Sequence, residues 1–313
     1  MQIREYNPVV EGKSVDCTDL RFCFTAREKN TNKGDYGCVL CVCGSYPEAG
    51  GSGSAMSGTA TLSAAAAYRT GSGLVKVFTH KENYAPISAN LPEAVMVVYD
   101  KFEEELLLRE LKTASAVLVG CGLGKSQTSK EILRCVLENI SGVSCPLVID
   151  ADGLNILAEN PEWWDFLSDE QKKKTVITPH PKEMSRLCCR EVSEILSDSV
   201  GTAKRFSQKR GVITLLKGHR TAVTDGHALY INYSGTPAMA KAGAGDVLSG
   251  ILVSMLGNNT LKSKTVLRKV ALAAYLHGKA GEKAQERMGE HSVLSSDIVA
   301  SISEVLAGDA VDF

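Results

Sequence analysis

The chain is expected to be an α/β protein, with a mostly parallel central sheet and helices on both faces. Short runs rich in Val, Ile, Leu and Cys alternate along it with longer helix-like stretches. A strand that is followed by a helix returns to its sheet by a crossover, and crossovers join parallel neighbours. Several strand-like runs are apolar throughout rather than alternating, which suits strands covered on both faces.

The elements follow in order. Residues 38–43 (CVLCVC) form an apolar run bounded by glycines and read as a buried strand. The low-complexity stretch Gly44–Gly58 (GSYPEAGGSGSAMSG) reads as a mobile loop at that strand's carboxyl end, the edge where open α/β sheets bind ligands. An Ala-rich helix is expected at 58–70, strands at 74–79 and 95–98, and a helix at 102–111. Strand 116–119 precedes a helix at 127–139, and strand 147–150 precedes one at 153–158. Strand 175–178 leads to helices at 182–188 and 198–210. Strands at 212–216, 221–224 and 228–231 come in succession, and the last third is helical at 246–256, 263–286 and 296–306. No linker divides the chain and no repeat is visible. Residues 1–31 are polar and poorly periodic and read as an N-terminal extension to one domain over 32–307, with a tail at 308–313.

Composition narrows the function. The 313 residues are 44% hydrophobic and 23% charged, as in an ordinary globular protein with one large domain or two modest ones. A net charge of −1 offers nucleic acid or an anionic membrane no general attraction, while a local basic pocket for a nucleotide stays allowed. No run reaches membrane-spanning length, and the opening MQIREYNPVV lacks a signal peptide's layout, so a cytoplasmic location is expected. Ten cysteines are scattered through apolar runs and read as small hydrophobes. Cys38 and Cys41 match C-x-x-C, but residues three apart on a strand face opposite ways. The six histidines show no ligand spacing, and no metal held by protein ligands is expected.

The richest stretch is GTPAMAKAGAGDVLSG at 235–250, a small-residue loop that enters an apolar helix through one carboxylate. Gly243, Ala244 and Gly245 would leave the backbone N–H groups at the helix start open to an anion. Asp246 then has two readings. It is the base that takes a hydroxyl proton during phosphoryl transfer, or it is a plain helix N-cap. Other segments follow strands at the same edge. GCGLGKS at 120–126 resembles a Walker loop only at its end, and Gly124 reads either as a backbone contact to a ligand or as part of a tight turn. In VIDADGLN at 148–155, two carboxylates and Asn155 stand just past a strand, where they orient a ligand or hydrated Mg²⁺, or merely cap a helix. TPHPKEM at 178–184 fixes His180 between prolines, and LLKGHRT at 215–221 makes a basic hairpin that either clamps phosphates or is solvated.

In their joint order, KGDYGCVLCVCGS, SGTATLSAAAAYRTGSGLVKV, VGCGLG, VIDADGLN, TPHPKEMSRL, LLKGHRTAV and GTPAMAKAGAGDVLSGIL resemble the ADP/ATP-dependent NAD(P)H-hydrate dehydratase family of the ribokinase-like superfamily. The resemblance spans residues 32–307, and TPHPxEM with DADGLN distinguishes it from sugar kinases. It implies a repair enzyme that dehydrates the (6S) hydrates of NADH and NADPH with ADP or ATP, the nucleotide's Mg²⁺ being carried on its phosphates. The ring hydroxyl is a poor leaving group until it is phosphorylated. By motif, Asp246 is the base, and Lys217, Gly218, His219, Arg220, Thr221 and Gly245 hold the nucleotide. Gly58, Thr59, Gly124, Asp152, Asn155, His180 and Asp246 hold the hydrated dinucleotide. The resemblance also implies a homo-oligomer. The Gly44–Gly58 loop is longer than the family's usual pattern, Thr59 stands where Ala is typical, and KAGA at 241–244 replaces a T-G-G-S/T lead-in. Many members carry an N-terminal epimerase domain. The stretch before residue 32 is too short for one, which points to a separate epimerase as functional partner. A small-molecule kinase and a non-catalytic nucleotide sensor are the alternative readings.

Overall fold

A computed structural model of the chain describes residues 9–10, 13–14, 27–47, 54–258, 261 and 265–308. Most of the expected extension, residues 48–53 of the glycine-rich loop, the first two residues of the helix expected from 263, and nearly all of the tail lie outside the described residues. The strands are β1 (Val9–Val10), β2 (Lys13–Ser14), β3 (Cys38–Val42), β4 (Leu74–His80), β5 (Val95–Tyr99), β6 (Ala116–Val119), β7 (Leu147–Ile149), β8 (Thr175–Ile177), β9 (Ile213–Leu216), β10 (Thr221–Thr224) and β11 (Leu229–Asn232). The helices are α1 (Ser57–Arg69), α2 (Tyr84–Asn90), α3 (Glu104–Leu111), α4 (Gln127–Val143), α5 (Asp152–Glu159), α6 (Asp169–Lys172), α7 (Pro181–Cys188), α8 (Val192–Ser197), α9 (Ser199–Arg210), α10 (Ala244–Gly257), α11 (Val266–Met288) and α12 (Ser295–Gly308).

The expected class is the observed one. One sheet runs β2-β1-β11-β10-β9-β8-β7-β6-β3-β4-β5. Strands β3 to β9 pair in parallel, while β10 and β11 return antiparallel beside β9. Burial explains the continuous apolar runs. On β3, Val39 and Cys41 enter the core under α1, α10, α11 and α12, while Leu40 and Val42 enter the core under α3, α4, α5 and α9. The same alternation repeats at Leu118 against Val117 and Val119, and at Val148 against Leu147 and Ile149. Side chains of a strand point to opposite faces in turn, so a sheet with both faces covered needs apolar residues at every position.

Four short helical pieces escape a periodicity reading: α2, α6, α8 and the 3₁₀ turn Pro161–Phe166. Each spans at most two turns, too little for a 3.6-residue pattern to emerge. At the other edge, Val9 and Val10 pair with Ile231 and Tyr230, so part of the polar leading segment adds a hairpin to the sheet.

Helix α10 is apolar nearly all round because it is buried against β3, β6 and α1. Its close approach to α1 depends on Gly250, where a β-carbon would overlap the Ser63 carbonyl oxygen. Gly250→Ala is therefore expected to lower stability by about 1–3 kcal/mol. Gly142 in α4 has nothing within 4 Å of its β-carbon position, and Gly142→Ala should instead stabilise by about 0.5–1 kcal/mol. Thermal melts of the two variants read this contrast directly.

Candidate active site

Five neighbouring strands deliver their carboxyl ends to one rim. In sheet order, β9 is followed by Lys217, β8 by His180, β7 by Asp150, β6 by the Gly120–Gly124 loop, and β3 by Gly44 and Ser45. The order of connection reverses between β3 and β6, which opens a crevice outside their ends. Helices α1 and α10 run back along the sheet, so their first turns stand at this rim as well.

Three helices begin here without a side-chain cap. Met56 precedes α1, Ala151 precedes α5 and Gly243 precedes α10, none giving a side-chain acceptor to the first turn. Ser126, Asp198 and Thr265 cap α4, α9 and α11, while the starts of α2, α3 and α8 also lack a side-chain cap. At α5 the first amides are taken by backbone carbonyls, Asp152 by Gly120 and Gly153 by Asp150, so the open helix starts suited to phosphate are those of α1 and α10. Gly243 has φ +90, and a β-carbon there would press on Leu62, so the turn into α10 requires glycine.

Asp246 is the third residue of α10 and not its cap, which removes the plain capping role. It is half-buried, and burial followed by the charge of Asp150 pushes its carboxyl up to about 6. The Cys121 thiol and Lys217 act in the opposite sense. A carboxylate poised near neutrality accepts a proton in one step and returns it in another, as a general base must. The Ser63 hydroxyl donates to the Asp246 carbonyl at 3.2 Å and ties this turn to α1.

The centre of the rim is Asp150, 2% exposed. Its Oδ1 accepts from Lys217 Nζ at 2.8 Å and from the Ala151 amide at 2.8 Å, and its Oδ2 accepts from Ser249 Oγ at 2.7 Å. Burial works against its charge, yet Lys217 and these donors hold the carboxyl below its usual value. Lys217 is thus no freely solvated hairpin lysine. It turns inward, and the β-carbon position of Gly245 lies 3.5 Å from its Nζ.

A cavity of about 700 Å³ lies beside this group, lined by Lys217, Gly218, His219, Thr221 and Gly245 among others. Arg220 stands outside that lining, its guanidinium 5.2 Å from the Tyr233 ring centre. His180 reaches the same cavity and also caps α7, its Nδ1 accepting from the Lys182 and Glu183 amides at 3.1 Å each. Buried Glu183 accepts from the His180 amide at 2.8 Å, and burial pushes its carboxyl up to about 7. Burial and Lys217 push His180 down, leaving a neutral ring.

The remaining residues form the other wall. The Gly124 amide donates to Asp152 Oδ2 at 2.8 Å, and Asn155 Oδ1 accepts from Arg186 Nη1 at 2.6 Å. Gly58 and Thr59 lie in the first turn of α1 rather than in a free turn. Thr59 Oγ1 donates to the Met56 carbonyl at 2.8 Å and packs beneath Gly122. Asn155 and Arg186 also line a second cavity of about 600 Å³ on the outer side. Sequence reasoning set both Asp150 and Asp152 just past the strand but carried only Asp152 to the ligand, and gave Glu183 and Ser249 no role in the site. A carboxylate ending the strand run VID was the visible sign. Only the order β7-β8-β9 brings Lys217 to it.

The profile of the NAD(P)H-hydrate dehydratase family matches residues 49–304. The chain belongs to this family. An ADP-dependent (S)-NAD(P)H-hydrate dehydratase of Streptococcus thermophilus is 33% identical over 274 residues, covering 87% of this chain and 91% of that protein. The bifunctional NAD(P)H-hydrate repair enzyme Nnr of Escherichia coli is 32% identical over 287 residues, covering 91% of this chain and 50% of the relative. The chain thus spans about half the length of the bifunctional relatives it matches. Among solved structures, an ADP/ATP-dependent NAD(P)H-hydrate dehydratase from Bacillus subtilis, co-crystallised with ATP and Mg²⁺, superposes with a TM-score of 0.74 at 23% identity, covering 93% of this chain and 96% of that one. A ribokinase-like superfamily protein from Enterococcus faecalis gives 0.78 at 25% identity, covering 93% and 94%. The fold is the ribokinase-like one.

Two stability effects of opposite sign follow from the buried charges. Lys217→Met leaves Asp150 ionised and unpaired and should cost about 3–5 kcal/mol, and adding Asp150→Asn should recover most of it in denaturant titrations. Asp246 and Glu183 have raised values, so their contribution to folding is complete below the ordinary carboxylate range and is lost as pH rises through about 6 and about 7. Asp246→Asn should therefore raise stability at pH 8 by about 1 kcal/mol, less than full burial would give because the carboxylate is partly wet. Melts at decreasing pH should show that gain fading toward pH 4.

Proposed function

We propose that this chain restores NADH and NADPH from their (6S) hydrates, coupled to cleavage of an adenine nucleotide. The observation that carries the reading is Asp246, a carboxylate poised near neutrality in the uncapped first turn of α10. Lys217 and Asp152 both act on its charge, in opposite senses. Family membership, with single-function relatives matched over most of their length, supplies the substrate.

In this reading the nucleotide lies in the 700 Å³ cavity, with its phosphates against Lys217 and the amides of Gly245 and Asp246. The substrate hydroxyl attacks the terminal phosphorus and gives its proton to Asp246, and AMP leaves when ADP is the donor. The ring nitrogen's lone pair then expels phosphate, and loss of a proton from the neighbouring carbon closes the double bond. Positioned amides hold the charge that develops on the transferring group. Among the described residues no three His, Cys, Asp or Glu side chains gather as a metal site. Magnesium keeps most of its water and would be carried on the nucleotide's phosphates. The ion would neutralise phosphate charge during transfer.

The domain is taken as residues 32–307, consistent with the profile match over 49–304. The bifunctional relatives support pairing with a separate NAD(P)H-hydrate epimerase, and a cytoplasmic homo-oligomer completes the reading. No helix among the described residues is long and apolar enough to cross a membrane.

The test is to incubate the protein with hydrated NADH and either ADP or ATP while following the absorbance of reduced nicotinamide. Recovery of absorbance is expected with a nucleotide present. A kinase would stop at a phosphorylated product, and a sensor would bind without turnover. Asp246→Asn should lower turnover by about two to four orders of magnitude with a folded protein remaining, and more than a tenth of normal turnover would remove Asp246 as base. Gly245→Val fills the space facing Lys217 and should cut turnover by about two orders of magnitude, as loss of an oxyanion-type donor does, at an unchanged melting temperature.

A further inference from the structure

His277 sits on α11 and lines the 700 Å³ cavity that Lys217 also lines. Two side chains set the register of α11 there. Asn232 Nδ2 donates to the Ala274 carbonyl at 3.1 Å, and Ser234 Oγ donates to the Tyr275 carbonyl at 3.1 Å. The helix is thereby fixed against the end of β11, and the imidazole becomes part of the cavity lining.

The two ring nitrogens have different fates. One bonds the backbone of Ala244, the first residue of α10. Nε2 is covered by protein and has no hydrogen-bond partner. Because the ring donates to the Ala244 carbonyl through Nδ1, Nε2 carries a bare lone pair. Burial, reinforced by Lys217, pushes the ring down to about 4, so it stays neutral. A buried polar atom without a partner is costly and rare, and it calls for an explanation from what the site receives.

We propose that His277 is a specificity residue of the nucleotide site, its Nε2 accepting a hydrogen bond from an uncharged O–H or N–H donor on the nucleoside part of the bound nucleotide. The proposal rests on the assignment of this cavity to the adenine nucleotide. A bare acceptor repels phosphate oxygens, so the phosphates go to Lys217 and the α10 amides while the nucleoside faces α11. Two groups on an adenosine nucleotide have the required chemistry, a ribose hydroxyl and the exocyclic amine of the base. The same imidazole holds Ala244, so the group that reads the nucleoside also braces the turn that receives the phosphates.

Calorimetric titration of the full chain tests this without relying on turnover. The probes are ADP, its 2′-deoxy and 3′-deoxy analogues, and inosine diphosphate, which replaces the amine with a carbonyl. His277→Phe keeps the ring's bulk and removes the acceptor, and should weaken ADP binding roughly tenfold. His277→Gln offers an oxygen near the position of Nε2 and should stay within about threefold of the natural protein. One analogue should bind the natural protein about tenfold more weakly than ADP and bind His277→Phe no worse than ADP does, which identifies the donor as hydroxyl or amine. Equal ADP affinity in the natural protein and a folded His277→Phe overturns the proposal. So does a penalty for every analogue that persists unchanged in the variant. Should His277→Phe fail to fold, equal affinity of the natural protein for all four nucleotides overturns it. Failure of the natural protein to bind any of the four instead removes the nucleotide assignment of the cavity.

Discussion

The buried ion pair between Asp150 and Lys217 organises the rim of this sheet. Asp150 ends β7 and Lys217 ends β9, and the bond between them crosses over β8. Ser249 brings α10 to the same carboxylate. One carboxylate therefore locates two strands and the helix that carries Asp246. Its charge has a second consequence, because a fixed negative group near Asp246 makes ionisation of that residue harder. Lys217 holds Asp150 charged, Asp150 keeps Asp246 poised, and Gly245 places no side chain against the Lys217 ammonium. Removing any one member alters the others.

This arrangement trades stability for chemistry. A half-buried carboxylate with a raised value destabilises the fold at neutral pH, and so does buried Glu183. The open starts of α1 and α10 add to the expense. The fold tolerates these local losses because the strands beneath are apolar on both faces and α10 is enclosed by β3, β6 and α1. A phosphate arriving at the rim would satisfy the free amides, so a ligand should stabilise the protein where its own residues leave it strained.

His180 shows how one residue serves two levels of structure. Its Nδ1 closes the first turn of α7, which makes it a capping residue of unusual type, while its ring lines the cavity. With Nδ1 accepting from two amides, the ring proton belongs on Nε2. His277, in the lining of the same cavity, has the opposite arrangement, donating through Nδ1 and leaving Nε2 bare. The Nε2 of His180 lies 3.3 Å from Glu183 Oε1, whereas the Nε2 of His277 has no partner.

Periodicity and glycine placement in the sequence were enough to determine the parallel α/β class, nearly every strand, the longer helices and the position of Asp246 at the start of α10. These are local properties: a doubly covered strand is apolar at each position, and a helix start that receives an anion needs small residues before it. The family was legible from seven motifs in order. Partnership was not. Asp150 and Lys217 are separated by 67 residues, and only the sheet order makes them neighbours. His277 lies within an apolar helical segment with no motif around it, and its place in the cavity depends on how Asn232 and Ser234 seat α11. The proton affinity of Asp246 was equally invisible, since burial and the charge of Asp150 set it. A sequence specifies which groups are present and how each short stretch folds, whereas their energies depend on distances and solvent exclusion that exist only once the strands are side by side.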